Sequence, residues 1–413
     1  MKTELPISHL LPGPLKSIRN RQAPRAMAYA TPERLAILSN AALDAAMREI
    51  SSWPGYAPTR LVALPGLAHA AGVGNLLYKD EGSRFGLGSF KALGGAYAVM
   101  RLLQRRLTQA LGHMPAAAAL FRGEYAGQAA QFTVACATDG NHGRSVAWGA
   151  QKAGCGCVIY VHEGVAQGRR DAIAAFGARV EEVKGTYDDA VGQAAKDAAD
   201  HGWEVVSDTS YSGYTDIPRD VMQGYGVIMR EAAAQWPDGR LPTHVFLQGG
   251  VGGFAASQCA ALWESFGDQA PKMIVVEPDK AACLQLSAEA GKPVIAEGAL
   301  DTIMAGLACG EVSLIAWDIL AAAVDAFLTV SDAAAAATMR LLARSPYGDP
   351  SIVAGESAVA GLSGFLLAMQ DAELRSALKL SPESIVMVVG TEGATDLALY
   401  EQIVGIPAAA VLS

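Results

Sequence analysis

The chain has 413 residues, 51% hydrophobic and 18% charged, enough to bury a large core and to divide into two or three domains. Its formal net charge of −9 excludes nucleic acid as the main partner, because phosphate binding needs a clustered excess of Lys and Arg that no segment supplies. No run has the apolar length to span a bilayer, and residues 1–17, punctuated by Pro6, Pro12 and Pro14, read as neither signal peptide nor anchor, so a cytoplasmic protein is expected.

In chain order, the first informative segment is Gly86-Leu87-Gly88-Ser89-Phe90-Lys91-Ala92-Leu93-Gly94-Gly95. A lysine among glycine, aromatic and small apolar residues, with no acidic neighbour, suits an amine that condenses with an aldehyde such as that of pyridoxal phosphate (PLP). An ordinary lysine snorkelling from the start of a helix fits equally well. The basic stretch 101–106 reads as a solvated helix face, and the Ala-rich stretch 104–131 as an excursion linking two domains.

Beyond it, short apolar runs at 132–136, 157–161, 243–247, 273–277 and 384–389 predict strands. Helical spacing marks 143–153, 168–176, 187–201 and 218–236, and 314–330 reads as a packed helix followed by a strand. The alternation predicts an α/β protein with mainly parallel sheet. A large domain is expected from 1–105 plus 221–413, with a small domain, 106–220, inserted in it. Six scattered cysteines form no Cys-x-x-Cys pair and no metal-ligand pattern, and thiols are expected.

Three predicted strands run into motifs. After the first comes Ala137-Thr138-Asp139-Gly140-Asn141-His142-Gly143, where backbone amides at a helix start could take a substrate carboxylate and Asn141 a phenolate oxygen. The alternative is a helix cap built on Thr138 or Asp139. After the run at 243–247 comes Gln248-Gly249-Gly250-Val251-Gly252-Gly253-Phe254, a phosphate cup in which four glycines let N–H groups converge. Gly250 to Ala255 also fits the dinucleotide pattern G-x-G-x-x-A, with Glu277 as a ribose-binding acid, so a nicotinamide-dependent dehydrogenase is a rival reading. That rival leaves the Lys91 and Asn141 segments idle. After the last strand comes Gly390-Thr391-Glu392, where a Thr391 hydroxyl could bond a neutral pyridine nitrogen and so favour β-elimination over transamination. A plain strand-to-helix turn is the alternative.

With these residues in view, the chain resembles the fold-type II PLP enzymes, the group of tryptophan synthase β, threonine deaminase and serine racemase. Within them it is most similar to the diaminopropionate ammonia-lyase family. The resemblance runs from about Tyr78 to Tyr400 and rests on 78–91, 138–144, 208–218 with 222–225, 302–311 and 355–357. It implies two domains, each with a mainly parallel sheet flanked by helices, and a homodimer. It implies Lys91 as the Schiff-base residue with Phe90 beside it, Asn141 at the phenolate oxygen, Gly249, Gly250, Val251, Gly252 and Gly253 around the phosphate, and Thr391 at the pyridine nitrogen. Thr138, Asp139, His142 and Asp208 are then the substrate-facing residues.

Related dehydratases carry a serine before Gly-Asn-His-Gly, whereas this chain has Asp139. A carboxylate beside a substrate carboxylate is unfavourable unless it does chemistry, so Asp139 is expected as an acid/base group. The resemblance implies elimination of ammonia from both enantiomers of 2,3-diaminopropionate, giving pyruvate and two ammonia. Asp139 is then the base for the D isomer and Asp208 for the L isomer, a helix cap or turn being the structural reading of Asp208. A serine or threonine dehydratase, and a β-eliminase of another substituted alanine, remain alternatives on the same fold. Ala358, where relatives often have glycine, is a departure.

Overall fold

The computed structural model describes residues 11–13, 15–20, 30–138 and 140–412. Its strands are β1 (Lys16–Arg19), β2 (Arg60–Ala63), β3 (Asn75–Asp80), β4 (Thr133–Ala137), β5 (Gly156–His162), β6 (Arg179–Val183), β7 (Glu204–Val205), β8 (His244–Gln248), β9 (Lys272–Pro278), β10 (Ala326–Val330) and β11 (Ile385–Gly390). Five of the predicted strands appear, each within one or two residues of its expected bounds. The predicted 218–236 helix is divided into Asp216–Tyr225 and Val227–Gln235, with Gly226 at the break.

The chain folds as two compact units. The first comprises 1–39, 58–83 and 228–413, and the second 40–57 and 84–227. The second unit therefore takes in residues 40–57, and its longer stretch begins at 84 rather than at the 106 expected from the Ala-rich stretch. The reason lies in helix Lys91–Leu111, which packs on helices Asn141–Ala153 and Asp216–Tyr225 of the same unit. Glycines permit this closeness. A Cβ on Gly94 would stand 2.3 Å from the Tyr225 ring, one on Gly224 2.1 Å from the Leu93 carbonyl, and one on Gly149 2.8 Å from the Ala96 Cα. The glycines after Lys91 thus serve helix packing. The basic stretch is also more than a solvated face, because Arg105 pairs with the largely buried Asp220 at 2.6 Å.

The first unit holds a seven-stranded sheet of order β1-β10-β9-β8-β11-β3-β2, parallel except where the edge strands β1 and β2 run antiparallel to their neighbours. β8, β10 and β11 are buried at every position, as parallel strands covered on both faces must be. Helix Ala360–Gln370 lies against one face, brought close by Gly361 at the Phe246 carbonyl and Gly364 at Val276. The second unit holds the parallel sheet β6-β5-β4-β7, with Ala190, Ala194 and Ala198 of helix Tyr187–His201 packed on Ala135, Val158 and Tyr160. No helix among the described residues is long and apolar enough to cross a membrane.

Candidate active site

In the second unit, Lys91 is the first residue of its helix, with its backbone N–H donating to Ser89 Oγ. A cation in a first turn faces the positive end of the helix macrodipole, and something must compensate it. Asp208 does so, its Oδ2 lying 2.5 Å from Lys91 Nζ across 117 residues of sequence. The two side chains keep 18% and 16% exposure, so the pair is sheltered and still reachable. The Phe90 and Tyr225 rings flank the amine, their centroids 5.5 and 5.7 Å from Nζ. The approach to Lys91 is a turn of unusual backbone, in which Phe85 (φ 51°), Gly86 and Gly88 are all left-handed. Phe85 is held there by the Trp148 and Trp53 rings at 5.0 and 6.0 Å, and Arg144 Nη1 donates to the Leu87 carbonyl at 2.9 Å. A non-glycine residue in this region costs on the order of 1–3 kcal/mol and persists where its surroundings impose it.

Asp208 follows β7 without belonging to a regular element. Burial alone would raise its carboxyl, but the Lys91 and His142 charges and the Lys91 hydrogen bond outweigh that and hold it well below the ordinary range. It is a carboxylate, the proton-accepting form. His142 Nε2 donates to the Val206 carbonyl at 2.9 Å, which leaves Nδ1 facing Asp208 Oδ2 at 3.9 Å. Burial lowers the His142 value, and the facing Asp208 carboxylate pulls against that. Burial likewise pushes the Tyr225 phenol up.

Thr138 and Asn141 lie at the head of helix Asn141–Ala153. Thr138 Oγ1 accepts from the Gly140 and Gly143 amides, both at 3.0 Å, so its hydroxyl oxygen caps the helix start as the structural reading anticipated. Asn141 opens the helix. Asp139 lies outside the described residues.

In the first unit, the glycine segment joins β8 to helix Gly253–Phe266. Gly252 (φ +98°) is the N-cap and brings no capping side chain to the helix start, the end of a helix that favours an anion. A Cβ on Gly249 would stand 2.7 Å from Glu277 Cγ, and one on Gly252 2.9 Å from Leu320 Cδ1. At Gly250 the nearest atoms, Cys309 Sγ and the Gly306 carbonyl, are 3.4 Å away, so packing alone does not demand glycine. Bare backbone there fits a bound phosphate, and the strand–glycine–helix architecture fits the cofactor.

Thr391 is buried just past β11, the neighbour of β8. Gln248 fixes these two strand ends together, its Nε2 donating to the Val389 and Ala358 carbonyls. Ala358 is accommodated without difficulty: it is buried and its N–H closes a turn to the Gly355 carbonyl.

Glu277 ends the nicotinamide reading. It is fully buried, and its two oxygens accept from the Leu284 and Gln285 amides at 2.8 Å each, capping helix Cys283–Ala290 rather than facing a ribose. Burial, against those hydrogen bonds, raises it to about 8. Cys283 and Cys309 are thiols rather than a disulfide, and both adjoin Gly250.

Comparisons with known proteins agree with this arrangement. The family model for pyridoxal-phosphate dependent enzymes matches residues 52–391. The diaminopropionate ammonia-lyase of Escherichia coli is 44% identical over 356 residues, 85% of this chain and 88% of that protein. Crystal structures of the Escherichia coli enzyme, with an aminoacrylate–PLP azomethine reaction intermediate and with D-serine, each superpose with a TM-score of 0.86 at 38% identity. Each superposition covers 95% of this chain and 97% of theirs. The chain belongs to the pyridoxal-phosphate dependent enzymes of fold type II and, among them, to the diaminopropionate ammonia-lyase family.

Proposed function

We propose that this protein converts 2,3-diaminopropionate, L and D, with one water to pyruvate and two ammonia. The observation that carries the proposal is the lysine–carboxylate contact at 2.5 Å, an amine able to hold the cofactor beside a base able to take a proton. Bound pyridoxal phosphate supplies an electron sink for the pair left at Cα when its proton departs. Lys91 would hold the aldehyde carbon, Asn141 the phenolate oxygen, Gly249 to Gly253 with Val251 the phosphate, and Thr391 the pyridine nitrogen.

Asp208 takes the Cα proton of the L isomer, and Asp139 that of the D isomer from the other face. When the lysine ammonium moves away from Asp208, burial becomes the dominant influence and strengthens the carboxylate as a base. The departing β-amine takes its proton from the Lys91 ammonium. The three-carbon product loses its remaining nitrogen to water without an activating group.

The Escherichia coli relative crystallised with D-serine keeps a serine dehydratase in view as a second reading. Release of pyruvate and ammonia from L- and D-diaminopropionate, with L-serine, D-serine and L-threonine alongside, separates the two. Turnover of both diaminopropionate isomers well above the hydroxy amino acids is expected, and turnover of serine or threonine alone would overturn the proposal. The family resemblance also implies a homodimer, a state that light scattering on the purified holoenzyme would report.

A further inference from the structure

We propose that Tyr214 is the positioning residue for Asp208 and, resting on the assignment of Asp208 as the L-isomer base, that it governs which enantiomer the enzyme handles well. Asp208 sits three residues past the end of β7, where no ladder holds the backbone. The Tyr214 hydroxyl replaces the ladder. It donates to the Val205 carbonyl at 2.8 Å and accepts from the Ser207 amide at 3.0 Å, spanning the two residues that lead into Asp208.

The residue between them is fixed from two further directions. Val206 N–H donates to the Ala135 carbonyl of β4, and the Val206 carbonyl accepts from His142 Nε2. Ser207 Oγ then accepts from the Thr209 amide at 3.1 Å on the far side of Asp208. Of these ties, the Tyr214 hydroxyl alone bridges both sides of Val206.

Tyr214 is itself set by a tight turn. Its N–H and carbonyl exchange hydrogen bonds with Tyr211, and the two rings stack with centroids 4.9 Å apart at 15°. Tyr211 is 54% exposed, so a surface turn carries the phenol that holds the base in place. The influence of Tyr214 on Asp208 runs through the backbone of 205–207, where its hydroxyl bonds Val205 and Ser207.

The test is Tyr214→Phe in the holoenzyme. The substitution keeps the ring, the stack and the turn, and removes only the hydroxyl. Proton transfer depends steeply on placement, so kcat for L-diaminopropionate should fall by roughly tenfold or more while the D isomer stays within about twofold. In the apoprotein, amide hydrogen exchange over 205–208 should accelerate, with β8 and β9 unchanged. Equal loss for both isomers, no loss for either, or unaltered exchange at 205–208 would each overturn the inference.

Asp208→Asn, measured in parallel, separates the two layers of the argument. If it discriminates between isomers and Tyr214→Phe does not, the Tyr214 inference fails alone. If Asp208→Asn itself treats the isomers alike, the base assignment fails and the inference falls with it.

Discussion

Two lysine–carboxylate pairs in this molecule share a chemistry and differ in everything that decides its use. In the first unit, Lys79 Nζ lies 2.7 Å from Glu231 Oε2, with side-chain exposures of 0% and 1%. Both members are further tied to one residue: Lys79 donates to the Thr59 carbonyl at 2.7 Å, and Glu231 accepts from the Thr59 amide at 3.0 Å. In the second unit, the Lys91–Asp208 pair is as close but keeps partial exposure, a helix N-terminus behind the amine and two aromatic rings beside it. A pair sealed from water and hydrogen-bonded on all sides holds backbone together. A pair left reachable can exchange its proton and its covalent partner.

Removing each lysine is the sharpest way to break that contrast. Lys91→Ala should abolish turnover, by about 10³-fold or more, and with it the covalently bound cofactor chromophore, while the chain remains folded. Activity assays and absorbance on the purified variant check this. Lys79→Met should do the reverse: the Glu231 charge left buried without its partner costs about 3–5 kcal/mol, read as a lowered urea midpoint. If Lys79→Met were stable and inactive, the division between the pairs would be wrong.

Smaller effects sharpen the picture of the phosphate cup. Gly252→Ala places a Cβ at φ +98° and 2.9 Å from Leu320, a strain of about 1–2 kcal/mol that should weaken PLP affinity of the apoprotein by about tenfold. A pH dependence concerns Glu277. Its folded value of about 8 lies above the ordinary 4.5, so the folded chain keeps a proton that the unfolded chain releases above 4.5. Stability therefore falls as pH rises from 4.5 toward 8, by at most about 1.4 kcal/mol per pH unit. Glu277→Gln should flatten that slope in urea denaturation across the same window.

The backbone-built half of the proposed site is easier to read in the sequence than the side-chain-built half, for a physical reason. A phosphate cup needs glycines in succession between strand and helix, and Gly249 to Gly253 display that need locally. Lys91 and Asp208 meet across 117 residues, so their contact follows from the packing of helix Lys91–Leu111 in the second unit rather than from any spacing. For Asp208, resemblance to a family supplied what periodicity could not. Tyr214 lay inside a segment quoted for that resemblance, yet nothing in its neighbours discloses that its hydroxyl would bridge Val205 and Ser207. Glu277 misled in the opposite direction. Its position after a strand and a glycine motif imitates a ribose-binding acid, and only its burial and its two amide partners show it to be a helix cap. The Ala-rich stretch suggested a boundary near 106, whereas helix Lys91–Leu111 groups with the second unit through close glycine contacts such as Gly94 on Tyr225, which one-dimensional spacing does not display.

The measurement that bears most directly on the central claim is the isomer-resolved turnover of Asp208→Asn against wild type, with pyruvate and ammonia counted together. The account predicts that turnover of L-diaminopropionate falls by about 10²-fold or more while the D isomer is processed at close to the wild-type rate, two ammonia accompanying each pyruvate. Equal retention of both isomers would contradict it, and would return Asp208 to the status of a counter-ion that holds Lys91 and takes no proton.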